Sequence, residues 1–162
     1  MVVAHFVKRE LETLFVHRFS ADTMPIAYVF RNSGHYWVLS GLLFGFVVYG
    51  PAFSHVKRTQ SDLIVALIAY AFAELSNLGT HITLRQLRSA GSRKKHIPRG
   101  YGFDWPFGGI SFPNYFFEFL VWVVIAVWSG CWGVIPFLVV ATYMMDNWAQ
   151  KVILVPELIE RH

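Results

Sequence analysis

From Phe112 to Met145 the chain carries a single charged residue, Glu118. That run is too long for one membrane crossing, which takes about 20 residues. Ser129-Gly130 and Gly133, with Pro136 nearby, offer the break, and the pattern predicts two helices joined by a tight turn. Two more apolar runs precede it. Tyr36 to Phe53 has no charge, and Leu63 to Leu84 has one acidic residue, Glu74. Exposed to water, runs of this kind would drive aggregation; in a bilayer they are solvated.

These runs set the expected fold class: an all-α integral membrane protein, a bundle of four to five transmembrane helices. The expected organisation is one membrane domain over residues 1–162, with helices over 2–19, 36–53, 63–84, 114–129 and 131–148. Of the 162 residues, 55% are hydrophobic and 15% charged, and the charges cluster between the apolar runs. The first stretch, with Phe6, Leu11, Leu14, Phe15 and Phe19 as its apolar members, is interrupted by Lys8, Arg9, Glu10 and Glu12, which excludes a cleavable signal peptide. It begins without a cap signal, as the end of a longer helix would, and Pro25 closes the turn after it. The lone cysteine, Cys131, excludes an internal disulfide framework and a Cys-rich zinc site. His5, His17, His35 and His55 show no ligand spacing, so no metal is expected.

The net charge of +4 bears on topology and anionic ligands rather than on nucleic acid. Six of fourteen basic residues (Arg85, Arg88, Arg93, Lys94, Lys95 and Arg99) fall between the second and third apolar runs. By the positive-inside rule the basic loop, residues 85–103, faces the cytosol. That topological role is one reading. Phosphate binding is the other, because arginine forks grip phosphate bidentately. Asn77, His81 and Arg85, spaced by four, share one helical face leading into this loop.

In the segment Phe112-Pro113-Asn114-Tyr115-Phe116-Phe117-Glu118, Tyr115 and Glu118 are three apart and share a face of the first turn. A carboxylate beside a phenol at membrane depth needs a partner. An interfacial aromatic belt is the plainer reading of the same residues. Lys8 and Glu12, four apart, read as a surface ion pair, and Glu74 as a polar contact between helices. Gly100-Tyr101-Gly102 and Gly108-Gly109 do not follow a strand and open a helix, so a dinucleotide fingerprint of the soluble kind is absent.

Three segments carry a resemblance. The first is Lys8-Arg9-Glu10-Leu11-Glu12-Thr13-Leu14-Phe15-Val16-His17-Arg18-Phe19-Ser20 with Thr23-Met24-Pro25. The second is Asn77, His81, Leu84 and Arg85, then Leu87-Arg88, Ala90-Gly91-Ser92 and Ile97-Pro98. The third is Pro113-Asn114-Tyr115 with Glu118. Together they resemble the very-long-chain trans-2-enoyl-CoA reductases of the steroid 5-alpha-reductase family. The resemblance implies an oxidoreductase that uses NADPH to reduce trans-2-enoyl-CoA to saturated acyl-CoA. This reaction ends each cycle of fatty acid elongation in the endoplasmic reticulum membrane, and it feeds sphingolipid metabolism.

The resemblance also implies roles. Tyr115 matches the proton donor and Lys8 a lysine tied to activity, with Glu12 and Glu118 orienting them. Asn77, His81, Arg85, Arg99 and Asn114 fall on the cofactor side. Acyl-CoA, the bilayer and other elongation enzymes are the implied partners. In the family a ubiquitin-like domain and earlier helices come first, and a basic, Tyr-rich tail follows the last span. The 162 residues contain neither, so a truncated protein that binds elongation partners without turnover is an alternative. A related reductase of steroids or polyprenols is another.

Overall fold

The computed structural model describes residues 1–18, 25–53, 55–88, 95–97, 112–153 and 159–161. Helices make up nearly all of it. The first helix, α1 (Val2–Phe15), is followed by a continuous helical stretch built from α2 (Ile26–Gly34), a π-helical segment (His35–Leu43) and α3 (Phe44–Tyr49). The longest helix is α4 (Gln60–Leu87), and α5 (Pro113–Ser129) and α6 (Val134–Ile153) complete the set. A short parallel pair joins β1 (Lys95–Ile97) to β2 (Ile159–Arg161).

Local chemistry sets most of the boundaries. Pro25 stands at the N-cap of α2, its fixed φ suited to helix entry, so this helix starts at Ile26 rather than at residue 36. It stops at Tyr49 because Gly50 precedes Pro51 and is extended, with ψ 145°. Thr59 and Asp62 form a capping box at the start of α4: Asp62 N–H donates to Thr59 Oγ1 at 3.1 Å, and Thr59 N–H donates to Asp62 Oδ2 at 2.8 Å. Pro113 occupies the first turn of α5, where its missing N–H costs nothing. At the far end Gly130 takes φ 63°, a left-handed turn that reverses the chain toward α6.

The core gathers where α4, α5 and α6 meet α3. Val47, Ala73, Val121, Trp122, Ile125, Cys131, Val134 and Phe137 pack there as one buried cluster. Outward faces carry exposed apolar side chains, among them Trp37, Phe46, Val65, Ile68 and Val139. Among the described residues, α4 alone is long and apolar enough to cross a membrane by length and composition. The expected count of four to five is therefore not reached on that criterion. Gly130 limits α5 to 17 residues, and the stretch from Ile26 is interrupted by the polar Arg31, Asn32 and Ser33 ahead of its π-helical segment.

At Gly130 a Cβ would sit 2.4 Å from Val56 Cγ2, and the backbone is left-handed. Gly130→Ala is expected to destabilise the fold, with ~1–2 kcal/mol from the backbone alone. Gly34→Ala, which meets nothing within 4 Å, is expected to be tolerated. Thermal midpoints of the two variants in detergent check this; equal midpoints would contradict it.

Candidate active site

Helix α1 brings His5, Lys8, Arg9 and Glu12 to one side, facing Glu74 of α4 and Glu118 of α5. Glu12 pairs with Lys8 Nζ at 2.9 Å, and the same ammonium lies 2.9 Å from Glu74. Glu74 meets His5 Nδ1 at 2.8 Å, and His5 Nε2 lies 3.1 Å from Glu118. Glu118 faces Arg9 Nε at 3.8 Å, and Arg9 Nη1 returns to Glu12 at 2.7 Å. The six side chains thus form a closed ring in which acid and base alternate, and each carboxylate turns its two oxygens to two different bases. His5 and Glu12 are fully buried. The Lys8–Glu12 pair is therefore interior, not the surface pair that its spacing suggested. Glu74 is the polar contact between helices that its place in an apolar run suggested.

Lys8 also donates to Asn77 Oδ1 at 2.7 Å, and Asn77 Nδ2 donates to the Asn114 carbonyl at 2.9 Å. This chain of bonds ties α1 through α4 to the first turn of α5. Asn77 has no exposed surface, so its amide is committed to that bridge.

In front of the ring lies a cavity of about 150 Å³, walled by Arg9, Asn32, His35, Tyr36, His81, Asn114, Tyr115, Glu118, Trp122 and Phe137, with side chains of α6. Of the sequence-predicted residues, Tyr115, Glu118, Asn114 and His81 lie on this wall. Lys8 and Glu12 stand behind it, and the cation on the wall is Arg9. Three polar atoms on the wall, His35 Nδ1, Glu118 Oε2 and Trp122 Nε1, are buried without a hydrogen-bond partner. Buried orphan atoms are uncommon in native structures and mark places where a ligand's polar groups are at home. Tyr115 stacks on Phe112, ring centroids 5.6 Å apart, and faces Trp148.

A second cavity, about 210 Å³, shares His81 with the first and is lined by Val16, His17, Arg18, Leu84, Arg85 and Arg88. Arg85 donates to the Phe15 carbonyl at the end of α1, and Arg18 and Arg88 each donate to the other's carbonyl. Three guanidinium groups around one hollow give it a positive charge of the kind that attracts anions. Arg99 lies outside the described residues.

His81 sits between the cavities with its tautomer set by its neighbours. Arginine can only donate, so Arg9 Nη1 at 3.0 Å requires His81 Nε2 to accept, leaving the proton on Nδ1. That Nδ1 lies 3.3 Å from His17 Nε2. Burial first, and then the Arg9 charge, hold the His17 imidazole below its usual value. Glu12, His17 and His81 place ligand atoms within 4.8 Å of one another. Chain spacing gave no hint of this grouping, because His81 comes from α4. Arg9, however, already donates to Glu12 and His81, and the hollow beside them is cationic, a poor setting for a metal ion.

His5 and Arg9 are among the residues that sequence reasoning missed as parts of the site, with His35 and Tyr36 on the wall and Arg18 and Arg88 in the second cavity. The spacing of His5 and Arg9 from Glu12, seven and three, put them on its face of α1. That signal was present, but nothing in it named the partners across α4 and α5.

The family model for 3-oxo-5-alpha-steroid 4-dehydrogenase matches residues 22–153. A Schizosaccharomyces pombe protein described as an enoyl reductase is 46% identical over 151 residues, covering 93% of this chain and 50% of the relative. The very-long-chain enoyl-CoA reductase of Dictyostelium discoideum is 40% identical over 119 residues, covering 74% and 37%. The trans-2,3-enoyl-CoA reductase-like protein of Mus musculus is 27% identical over 148 residues, covering 91% and 41%. The chain spans about half or less of the length of these curated relatives. No solved structure matches it. With most of its length matched, residue 22 to residue 153, the chain belongs to the 3-oxo-5-alpha-steroid 4-dehydrogenase family, the steroid 5-alpha-reductase family that its motifs resemble.

Proposed function

We propose that the protein is an oxidoreductase that reduces trans-2-enoyl-CoA to saturated acyl-CoA with NADPH, as the last step of a fatty acid elongation cycle. The observation that carries this reading is the pair of cavities joined at His81. One has aromatic rings and three unpartnered polar atoms on its wall; the other is lined by three arginines. A nicotinamide dinucleotide has the same division, a planar carboxamide ring at one end and phosphates toward the other. The donor set therefore fits the cofactor. Asn114, Glu118 and His81 would hold the ring end, and Arg18, Arg85 and Arg88 the phosphates. The names of the relatives favour an acyl-CoA substrate over a steroid.

The reaction adds a hydride at C3 and a proton at C2 of the enoyl thioester. The bound nicotinamide supplies the hydride. The residues of this chain manage the charge and the proton. As the hydride arrives, negative charge grows on the thioester oxygen, and the fixed Arg9 charge on the same wall favours it. The Tyr115 phenol gives its proton to C2, which closes the saturated chain. Lys8 acts at one remove: through Asn77 it holds the Asn114 carbonyl, and so fixes the turn that presents Tyr115. Glu12 holds Lys8 and Arg9 in place. In this reading the protein is a multi-pass protein of the endoplasmic reticulum membrane, with the basic loop in the cytosol and other elongation enzymes alongside; the apolar helix α4 supports the membrane part of it.

Tyr115→Phe is expected to lower turnover of a long-chain trans-2-enoyl-CoA by ~10²-fold or more while NADPH binding stays within a few-fold. NADPH oxidation followed in detergent, beside a binding titration, checks it. Undiminished turnover would remove Tyr115 from the proton step, and turnover of a 3-oxo-4-ene steroid in place of the acyl-CoA would redirect the substrate class. No turnover in a folded chain that still binds NADPH would leave a non-catalytic binder.

Arg85→Gln retains a donor for the Phe15 carbonyl but removes the charge. It is expected to raise the KM for NADPH ~10-fold or more, the loss of roughly one charge-assisted phosphate contact, and to affect NADH less. Equal effects on the two cofactors would place Arg85 away from the phosphate that distinguishes them.

A further inference from the structure

We infer that His5 is held as an imidazolium, the third cation of the buried ring, and that it positions Glu118 at the cavity wall as an obligate anion. The inference deepens the reductase reading and rests on it for the meaning of the wall. The charge state itself stands on geometry alone.

His5 has no exposed surface, and both of its ring nitrogens face carboxylates: Nδ1 is 2.8 Å from Glu74 Oε1, and Nε2 is 3.1 Å from Glu118 Oε1. The first contact is an aligned hydrogen bond and the second a close ion pair. A neutral imidazole has one N–H. With Nδ1 protonated, the lone pair of Nε2 would point at a carboxylate oxygen at 3.1 Å, which is repulsive. The opposite tautomer has the same fault at Glu74. With both acids ionised, only the doubly protonated ring meets them; a neutral ring accepting from a protonated Glu118 would leave a neutral carboxyl facing Arg9 as well.

Charge balance agrees once the three acids are ionised. The groups facing His5 are Glu74 from α4 and Glu118 from α5, with Lys8, Arg9 and Glu12 completing the ring from α1. Three carboxylates against Lys8 and Arg9 would leave one uncompensated negative charge buried beside Trp122 and Phe6, whose rings lie 5.3 Å and 5.5 Å from the imidazole. An unpaired buried charge is among the costliest arrangements in a protein. An imidazolium makes the ring three against three.

The functional consequence falls on Glu118. One of its oxygens is turned to His5; the other, Oε2, has Arg9 Nε 3.8 Å away but lacks a hydrogen-bond partner. Held between two cations, Glu118 can accept a hydrogen bond from a ligand, such as a carboxamide N–H, but it has no proton to give. That takes Glu118 out of the proton step, leaves it to the phenols on this wall, Tyr115 and Tyr36, and makes His5 a positioning residue, not a catalytic one.

The test is side-chain ¹⁵N spectroscopy of the histidine-labelled protein in detergent, from about pH 6 to about pH 8.5. Ordinary histidines, with values near ~6.5, are neutral at the upper end. The expected result is one imidazolium, with two N–H signals, persisting at about pH 8.5 among the seven histidines. Its absence overturns the inference. His5→Gln should abolish that signal and add a protonated-carboxyl band to the infrared spectrum, as one of the three acids takes up the missing proton. A persisting signal, or a folded variant without the band, also overturns it. None of these readouts depends on turnover, so failure of the reductase assay and failure of this inference are separate results.

Discussion

The alternating ring of six charges decides how the first helix sits on the rest of the protein. Helix α1 supplies four of its members, and α4 and α5 supply one each. Removing any one leaves a neighbour buried without its counter-charge, which costs far more than the pair contributed when whole. The ring therefore acts as a register device: a rotation or slide of α1 by one residue would take apart the four pairings that cross to α4 and α5. Close packing of α4 on α5 could tolerate a different α1; the ring cannot.

Two members of the ring also belong to the cavity wall. Arg9 and Glu118 face inward to the ring and outward to the ligand space, so the electrostatics of the wall are fixed by groups the ligand never touches. Lys8 works similarly through Asn77 and the Asn114 carbonyl. This explains how a lysine that does not line the cavity could matter to its chemistry. The wall is preorganised by a layer behind it, the arrangement that lets fixed dipoles and charges act without reorganising during reaction.

The second cavity has a different construction. Its arginines are anchored by backbone carbonyls at the ends of α1 and α4, with Arg85 on Phe15 and Arg18 and Arg88 on each other. Cations at a helix C-terminus satisfy orphan carbonyls and oppose the helix dipole. Part of the basic character that reads as topology in the sequence is thus used to hold the end of α1 against α4. The remaining donors of the same guanidinium groups line the hollow to which the proposed function assigns the phosphates.

The sequence by itself determined the local events. The apolar runs, the break at Gly130, the proline entry at Pro113 and the Thr59–Asp62 capping box follow from side-chain chemistry within a turn or two of chain. Helical spacing also put Tyr115 with Glu118, and Asn77 with His81 and Arg85, because a 3.6-residue period fixes which residues share a face. Tertiary structure alone decided which faces meet. His5 and Glu74 are 69 residues apart, and Arg9 and His81 are 72 apart. No local rule selects such pairs, since a helix presents the same stripe whatever lies opposite. For the same reason the sequence put Lys8 beside the chemistry, whereas the fold put Arg9 on the wall and Lys8 behind it. The rotation of α1 about its own axis is set by where the carboxylates of α4 and α5 stand, and that is a property of the assembled bundle.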